Sequence, residues 1–313
     1  MLDIYEITGQ EYEEITDGKC TVFSSYSFLS LNGDKVDKIR FFLGKNKKRR
    51  IALAVGEKDN KWLAPFSAPF SDIVELQKDT EIGYFWSFFA LLNDVAQNNG
   101  IKKISFYLPP EIYLGKSNAK IYNALWGTGY KIEYLDVNYA FDLNAIDLCN
   151  YELQIEHNAR KNLRISQNAG LDIIRCTTEE EKIAAYEVIR LNRLAKGYPL
   201  RMSLQQVLET IKKVKHEFFL VKKDDINIAS AMVYYVNEKV AQVVYWGNIS
   251  NTEMYKPINF LSYELIKYYK EQGLSYLDIG ISTEEGIPNY GLCSFKESIG
   301  CEWNSKIKWS KSL

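Results

Sequence analysis

The strongest constraint on this chain is a repeated order of elements punctuated by glycines. In the first half, helical periodicity over residues 84–97 stops at Asn98-Asn99-Gly100. A strand pattern follows over 101–108, a second helix over 117–126 stops at Gly127, and β character resumes over 130–143. In the second half a helix over 259–272 stops at Gly273, a strand spans 274–279, a short helix over 294–300 ends at Gly300, and a last strand covers 306–309. Gly100 and Gly127 stand as far apart as Gly273 and Gly300. Short β segments precede both units: 51–55 in one, and 218–221, 229–236 and 240–246 in the other. Residue identity between the halves is slight, but the order and spacing match, which predicts a duplicated α/β domain. A chain of 313 residues suits two domains, and residues 142–150 read as the linker.

Composition excludes several functions. A net charge of −1 gives no global field for nucleic acid or an acidic membrane. No apolar run reaches the ~20 residues needed to span a bilayer. The N-terminus, with Asp3 and Glu6, places acids where a secretion signal needs bases. The five cysteines are scattered without a Cys-x-x-Cys pair, which points to reduced thiols in the cytoplasm and away from zinc. With only His157 and His216, there is little material for a histidine triad or a histidine metal site, so no metal is expected. The 37 Tyr and Phe rings, 22 and 15, suit either deep clefts or plain aromatic cores.

Several segments carry candidate chemistry. A helix is expected over 23–29 within a helix-rich first stretch, and strands over 39–43 and 51–55 flank the basic turn 45–50. That turn suits either a solvated hairpin tip or a phosphate contact. The aromatic, proline-stiffened segment 62–70 can line a groove or cover a sheet edge. Residues 151–170 read as one helix in which Arg160 and Arg164 share a face, as a solvated surface or as an anion site. Thr178 and Glu181 form a capping-box pattern for a helix over 179–196, ended by Gly197. Another helix starts at Ser203 and runs to about residue 215. Residues 280–291 are a glycine-bearing loop at the C-terminal end of a buried strand, where α/β sheets tend to place chemistry, and Lys296 follows it.

The second half resembles FemAB-like proteins of the GNAT (N-acetyltransferase) superfamily. The likeness rests on His157-Asn158-Ala159-Arg160-Lys161-Asn162-Leu163-Arg164 leading to Gly170-Leu171-Asp172-Ile173, and on Tyr245-Trp246-Gly247-Asn248 with Lys256-Pro257-Ile258-Asn259 opening the long helix. It rests also on Leu277-Asp278-Ile279-Gly280 followed by Phe295-Lys296-Glu297-Ser298-Ile299-Gly300. The resemblance implies an α/β (α+β) fold of two tandem GNAT-like domains, 1–145 and 146–313, each a mixed, mostly antiparallel sheet flanked by helices. It also implies an acyl- or aminoacyltransferase acting on an amine of a cell-envelope or sugar-linked acceptor. The donor is then acyl-CoA or aminoacyl-tRNA, with no permanently bound cofactor, in a bacterial cytoplasmic monomer.

Two departures from the family pattern stand out. No Arg/Gln-x-x-Gly-x-Gly/Ala loop precedes the long helix, where 251–257 reads Asn-Thr-Glu-Met-Tyr-Lys-Pro, and no charged coiled-coil arm of the tRNA-using kind is present. The expected catalytic residue is Lys296, holding an oxyanion or a donor phosphate, with backbone N–H groups near Trp246 as further donors. Substrate-binding candidates are Arg160, Arg164, Tyr245, Trp246, Asn259, Asp278 and Tyr290. Asp278 orients a partner or caps the loop, while Tyr245 and Tyr290 relay a proton or wall a cleft. An acyl-CoA-dependent N-acetyltransferase acting on a small molecule and a catalytically silent binding protein are the rival readings.

Overall fold

The computed structural model describes residues 2–114 and 118–313. The chain divides into two compact units, one made of Met1–Asp136 with Asn304–Leu313, the other of Val137–Trp303. In order, the elements up to the division are β1 (Asp3–Ile7), α1 (Gly9–Thr16), α2 (Tyr26–Leu31), β2 (Lys38–Lys45), β3 (Arg49–Lys58), β4 (Lys61–Ala64), β5 (Val74–Glu75), α3 (Ile82–Asn98), β6 (Lys103–Tyr107), α4 (Glu111–Leu114), α5 (Asn118–Gly127) and β7 (Lys131–Asp142). They continue with α6 (Tyr151–Gln154), α7 (His157–Gln167), β8 (Leu171–Arg175), α8 (Glu179–Lys196), α9 (Leu204–Ile211), β9 (His216–Lys223), β10 (Ile226–Tyr235) and β11 (Val240–Asn248). The last are α10 (Pro257–Glu271), β12 (Tyr276–Ile281), β13 (Thr283–Glu284), β14 (Ile287–Pro288), α11 (Tyr290–Ser298) and β15 (Glu302–Ser312).

Each unit contains a mixed, mostly antiparallel sheet flanked by helices. In the first the order is β1-β2-β3-β4-β6-β15, and in the second β7-β12-β11-β10-β9-β8. Each sheet has a parallel step at the corresponding place, β4 with β6 and β11 with β12. The repeat read from the glycines is therefore real at the level of elements: α3-β6-α5-β7 matches α10-β12-α11-β15. Its last strands are exchanged. Residues 137–142 of β7 pair antiparallel with β12 in the second unit. The end of β15 pairs antiparallel with β6 in the first, Lys308 opposite Tyr107 and Ser312 opposite Lys103. The division thus differs from a cut at 145/146, because pairing, not chain order, decides where these two strands belong.

Local rules account for most elements. On α3, Phe85, Phe88, Phe89, Leu92 and Ala96 are fully buried at helical spacing against the first sheet. On α10, Leu261, Leu265 and Tyr269 do the same in the second unit. Thr178 and Glu181 close the capping box of α8, and Gly197 ends it at φ +67°. Some expectations change. Trp62 and Phe70 both have 0% exposure: Trp62 because β4 runs inside the sheet between β3 and β6, and Phe70 because it packs against Phe23 and Tyr113. The helix-rich start contains the strand β1, paired with β2, and α2 begins at Tyr26 after a short 3-10 turn. The expected first residue of α5, Ser117, lies outside the described residues. In the basic turn, Arg50 and Lys48 both pair with Asp79, at 2.7 and 3.0 Å, so those two cations already have an anion.

One buried carboxylate in the first unit bears on stability. Asp72 Oδ2 accepts the Thr21 N–H at 2.5 Å, while Oδ1 is buried with no hydrogen-bond partner among the described residues. Burial pushes its pKa up to about 6, against hydrogen bonds from Thr21 and Ser24 that hold it down. The folded state therefore binds more protons than the unfolded state between the ordinary value of 3.8 and about 6. Stability is greatest below that window and is lost as pH rises through it, by about 3 kcal/mol. Asp72→Asn, which keeps an acceptor for Thr21, is expected to be the more stable protein at pH ~7, with the advantage gone near pH ~4. Urea unfolding at a series of pH values checks this, and a difference independent of pH would refute it.

Candidate functional site

The site grows out of the parallel step of the second unit. β11 and β12 pair only where 240–242 meets 276–278, although β11 continues to Asn248 and β12 to Ile281. Beyond Gln242 and Asp278 the two strands part. The backbone of β11 past that point faces the opening without a β12 ladder to take its N–H groups.

The apex of the opening is polar and buried. Asp278, with 0% exposure, accepts Asn138 Nδ2 at 2.8 Å, Gln242 Nε2 at 2.7 Å and the Gly280 N–H at 2.8 Å. It thereby ties β7, β11 and β12 together where they diverge. Gly280 takes φ +77°, a conformation that favours glycine, at the place where the β12–β7 register shifts. Three carbonyls around this bend need donors, and Lys296 supplies them. Its side chain reaches from α11 and donates to the carbonyl oxygens of Ile279, Gly280 and Ile281 at 2.8, 2.9 and 3.1 Å. Lys296 is 2% exposed, and burial pushes its pKa down to about 8, with Cys301, Asp278 and Cys293 opposing.

An ammonium group has three N–H bonds. All three of Lys296 end on backbone carbonyls, so none remains for an oxyanion or a phosphate. This geometry makes Lys296 a clamp of the β12 exit.

The remaining candidates separate. Tyr245 and Trp246 lie on β11 past the parting. Trp246 has its ring 6.4 Å from that of Phe295. Tyr245 is 9% exposed and faces the Arg193 guanidinium, which lies 5.4 Å from its ring centroid. Burial raises the Tyr245 pKa, against a backbone hydrogen bond from Arg201 and the Arg193 charge. Asn259 is buried in the first turn of α10. Tyr290, at the start of α11, is 78% exposed.

Arg160 and Arg164 both have partners within the chain. The expected helix over 151–170 breaks at Ile155 and Glu156, where the Glu156 N–H donates to the Ser298 carbonyl at 3.0 Å. Arg160 then caps α6 through the carbonyls of Glu152 at 2.5 Å and Ile155 at 3.3 Å. Arg164 pairs with the Glu152 carboxylate at 2.6 Å. Both residues line an open hollow of about 610 Å³ along α7, but the anion that Arg164 meets is Glu152.

Three contributors escaped the sequence reading. Gln242 and Asn138 are polar residues inside otherwise apolar strands, and that contrast was the available signal. Arg193 stands at helical spacing from the buried Tyr186 and Ile189, so it continues the inward stripe of α8. Its Nε and the Tyr234 hydroxyl are buried without hydrogen-bond partners among the described residues. Burial lowers the pKa of Arg193, with Tyr245 and Tyr198 opposing. Gly247 keeps α8 close, because a Cβ there would lie 2.4 Å from the Asn192 side chain, which holds the Asn248 carbonyl at 2.7 Å.

Among the described residues no group of His, Cys, Asp and Glu could hold a metal ion, and no helix is long and apolar enough to cross a membrane. No protein-family model matches the chain, and no curated protein sequence matches it significantly. Solved structures do. FemX aligns over 99% of this chain and 97% of its own, with TM-score 0.70 and 15% identity. The L-PGS of Bacillus licheniformis covers 97% and 92%, with TM-score 0.61 and 15% identity. A tandem GNAT protein from the clavulanic acid biosynthesis pathway covers 100% and 98%, with TM-score 0.56 and 11% identity. The fold is that of the FemAB-like, tandem GNAT proteins.

Proposed function

We propose that the chain is an aminoacyltransferase that moves an acyl group from an ester donor of the aminoacyl-tRNA type onto an amine of a cell-envelope or sugar-linked acceptor. The observation that carries this is the opening between β11 and β12, with its buried apex at Asp278, which accepts hydrogen bonds from Asn138, Gln242 and the Gly280 N–H. Backbone N–H groups of β11 past Gln242 polarise the acyl carbonyl and take up charge as it becomes an oxyanion. The amine nitrogen bonds to the carbonyl carbon, the ester C–O bond breaks, and the proton that the amine releases ends on the departing oxygen, so that the products are an amide and the free hydroxyl of the donor. Lys296 takes no part in bond making; it holds the β12 exit in the shape this needs.

The start of α10 argues for an ester donor over acyl-CoA. Pro257 at its first position has no N–H, and the N–H groups of Asn259 and Phe260 both turn back to the Lys256 carbonyl, at 3.1 and 3.3 Å. Such a terminus offers a pyrophosphate little to hold. The soft spot for an anion is Arg193, whose buried Nε faces no partner among the described residues. In this scheme Arg193 takes an acidic group of the acceptor.

Transfer of a labelled aminoacyl group to amine acceptors, with and without a phosphate or carboxylate, tests the scheme. Arg193→Ala is expected to raise KM for the anionic acceptor by roughly 10- to 100-fold, the loss of a charged hydrogen bond worth about 1.5–3 kcal/mol. It should change turnover of the uncharged acceptor little. An equal effect on both acceptors removes Arg193 from recognition, and transfer from acyl-CoA alone overturns the choice of donor.

A further inference from the structure

A second concave site lies in the first unit, in a trough of about 380 Å³ along α3 and the end of α5. Its end wall is Trp86, which is 40% exposed. The indole reaches from α3 to α5 and is held there twice. Its Nε1 donates to Asn123 Oδ1 at 2.9 Å, and its benzo edge occupies the space of a side chain at Gly127, where a Cβ would lie 1.9 Å from the ring. Held on α5 at one edge and attached to α3 at its Cβ, the indole is fixed in place and still 40% exposed where it lines the trough. Asp94 and Gln97 of α3 also line it, as does Lys311 of β15, whose ammonium donates to the Thr128 carbonyl at 2.7 Å.

The chemistry of these walls selects a ligand. One rigid aromatic face offers a stacking surface for C–H groups or for another ring. A single face gives no sandwich for a flat heterocycle. One carboxylate and one ammonium oppose each other, which selects neither an anion nor a cation. Asp94 accepts only, Lys311 donates only, and Gln97 does both. That alternation matches vicinal hydroxyl groups, each of which donates and accepts. We infer that the trough is a saccharide site that seats one neutral pyranose ring against the Trp86 indole. It is separate from the β11–β12 opening and does not depend on the transfer reaction.

The test is saturation-transfer NMR on the full chain with glucose, galactose and N-acetylglucosamine as probes. Sugars at about 10 mM would load a site of ~1 mM affinity. Transfer to the ring protons of at least one sugar is expected, with loss in Trp86→Ala and a several-fold weaker affinity in Asp94→Ala. The exposed Asp94 change keeps the result readable if the tryptophan variant does not fold. Absence of transfer with all three sugars, or binding unaltered by both variants, overturns the inference.

Discussion

Expressed alone, neither residues 1–145 nor residues 146–313 are expected to fold. The first fragment lacks β15, which covers the edge of β6 and brings Ile307 and Trp309, 7% and 3% exposed, into the core of the first unit. The second lacks 137–142, and with it the partner strand of β12, the buried Phe141 and the Asn138 amide on Asp278. Each buried large apolar side chain is worth about 1.5–3 kcal/mol, and ladder hydrogen bonds add to that. A domain has only about 5–15 kcal/mol to lose. Co-expression should restore a native complex from the two pieces. Circular dichroism and urea unfolding of each fragment check the expectation. A cooperative transition from either piece alone would show that the exchanged strands are dispensable.

Lys296→Met is the second large effect. Methionine fills the same channel, but the carbonyls of Ile279, Gly280 and Ile281 lose their donor. An unsatisfied buried polar group costs about 1–3 kcal/mol, so a destabilisation of at least about 3 kcal/mol is expected. Amide exchange should accelerate first around Gly280, where the Asp278 carboxylate on the Gly280 N–H is then left to hold the bend. A surface lysine changed in this way shifts stability by no more than about 0.5 kcal/mol. A value that small would mean that the ammonium does not hold the strand exit.

These two results also mark how much of the molecule could be read in advance. The glycine-punctuated repeat was legible because three of its four stops take positive φ, Gly100, Gly273 and Gly300 at +73°, +76° and +84°, while α5 runs through Gly127 and the positive φ falls at Gly129, +90°. The exchange of β7 and β15 was not legible, since a strand carries the same alternation whichever sheet receives it. Lys296 was legible by position, but its three carbonyl partners were not. Sequence shows a lysine after a loop, but not that the loop turns three carbonyls toward it. The partners of Arg160 and Arg164 were hidden for a similar reason, because Glu152 and the α6 carbonyls come within reach only after the helix breaks at Ile155. Asn289 caps α11 four residues ahead of the expected start, through an ordinary asparagine signal hidden in a loop-like composition.

Amide hydrogen exchange across 243–248, with and without an aminoacyl-tRNA, tests the central claim most directly. If the parted strand edge of β11 holds the acyl group, the donor will slow exchange there while leaving the already protected ladder at 240–242 unchanged. Exchange over 243–248 that is the same with and without donor, while the donor demonstrably binds, would contradict the account.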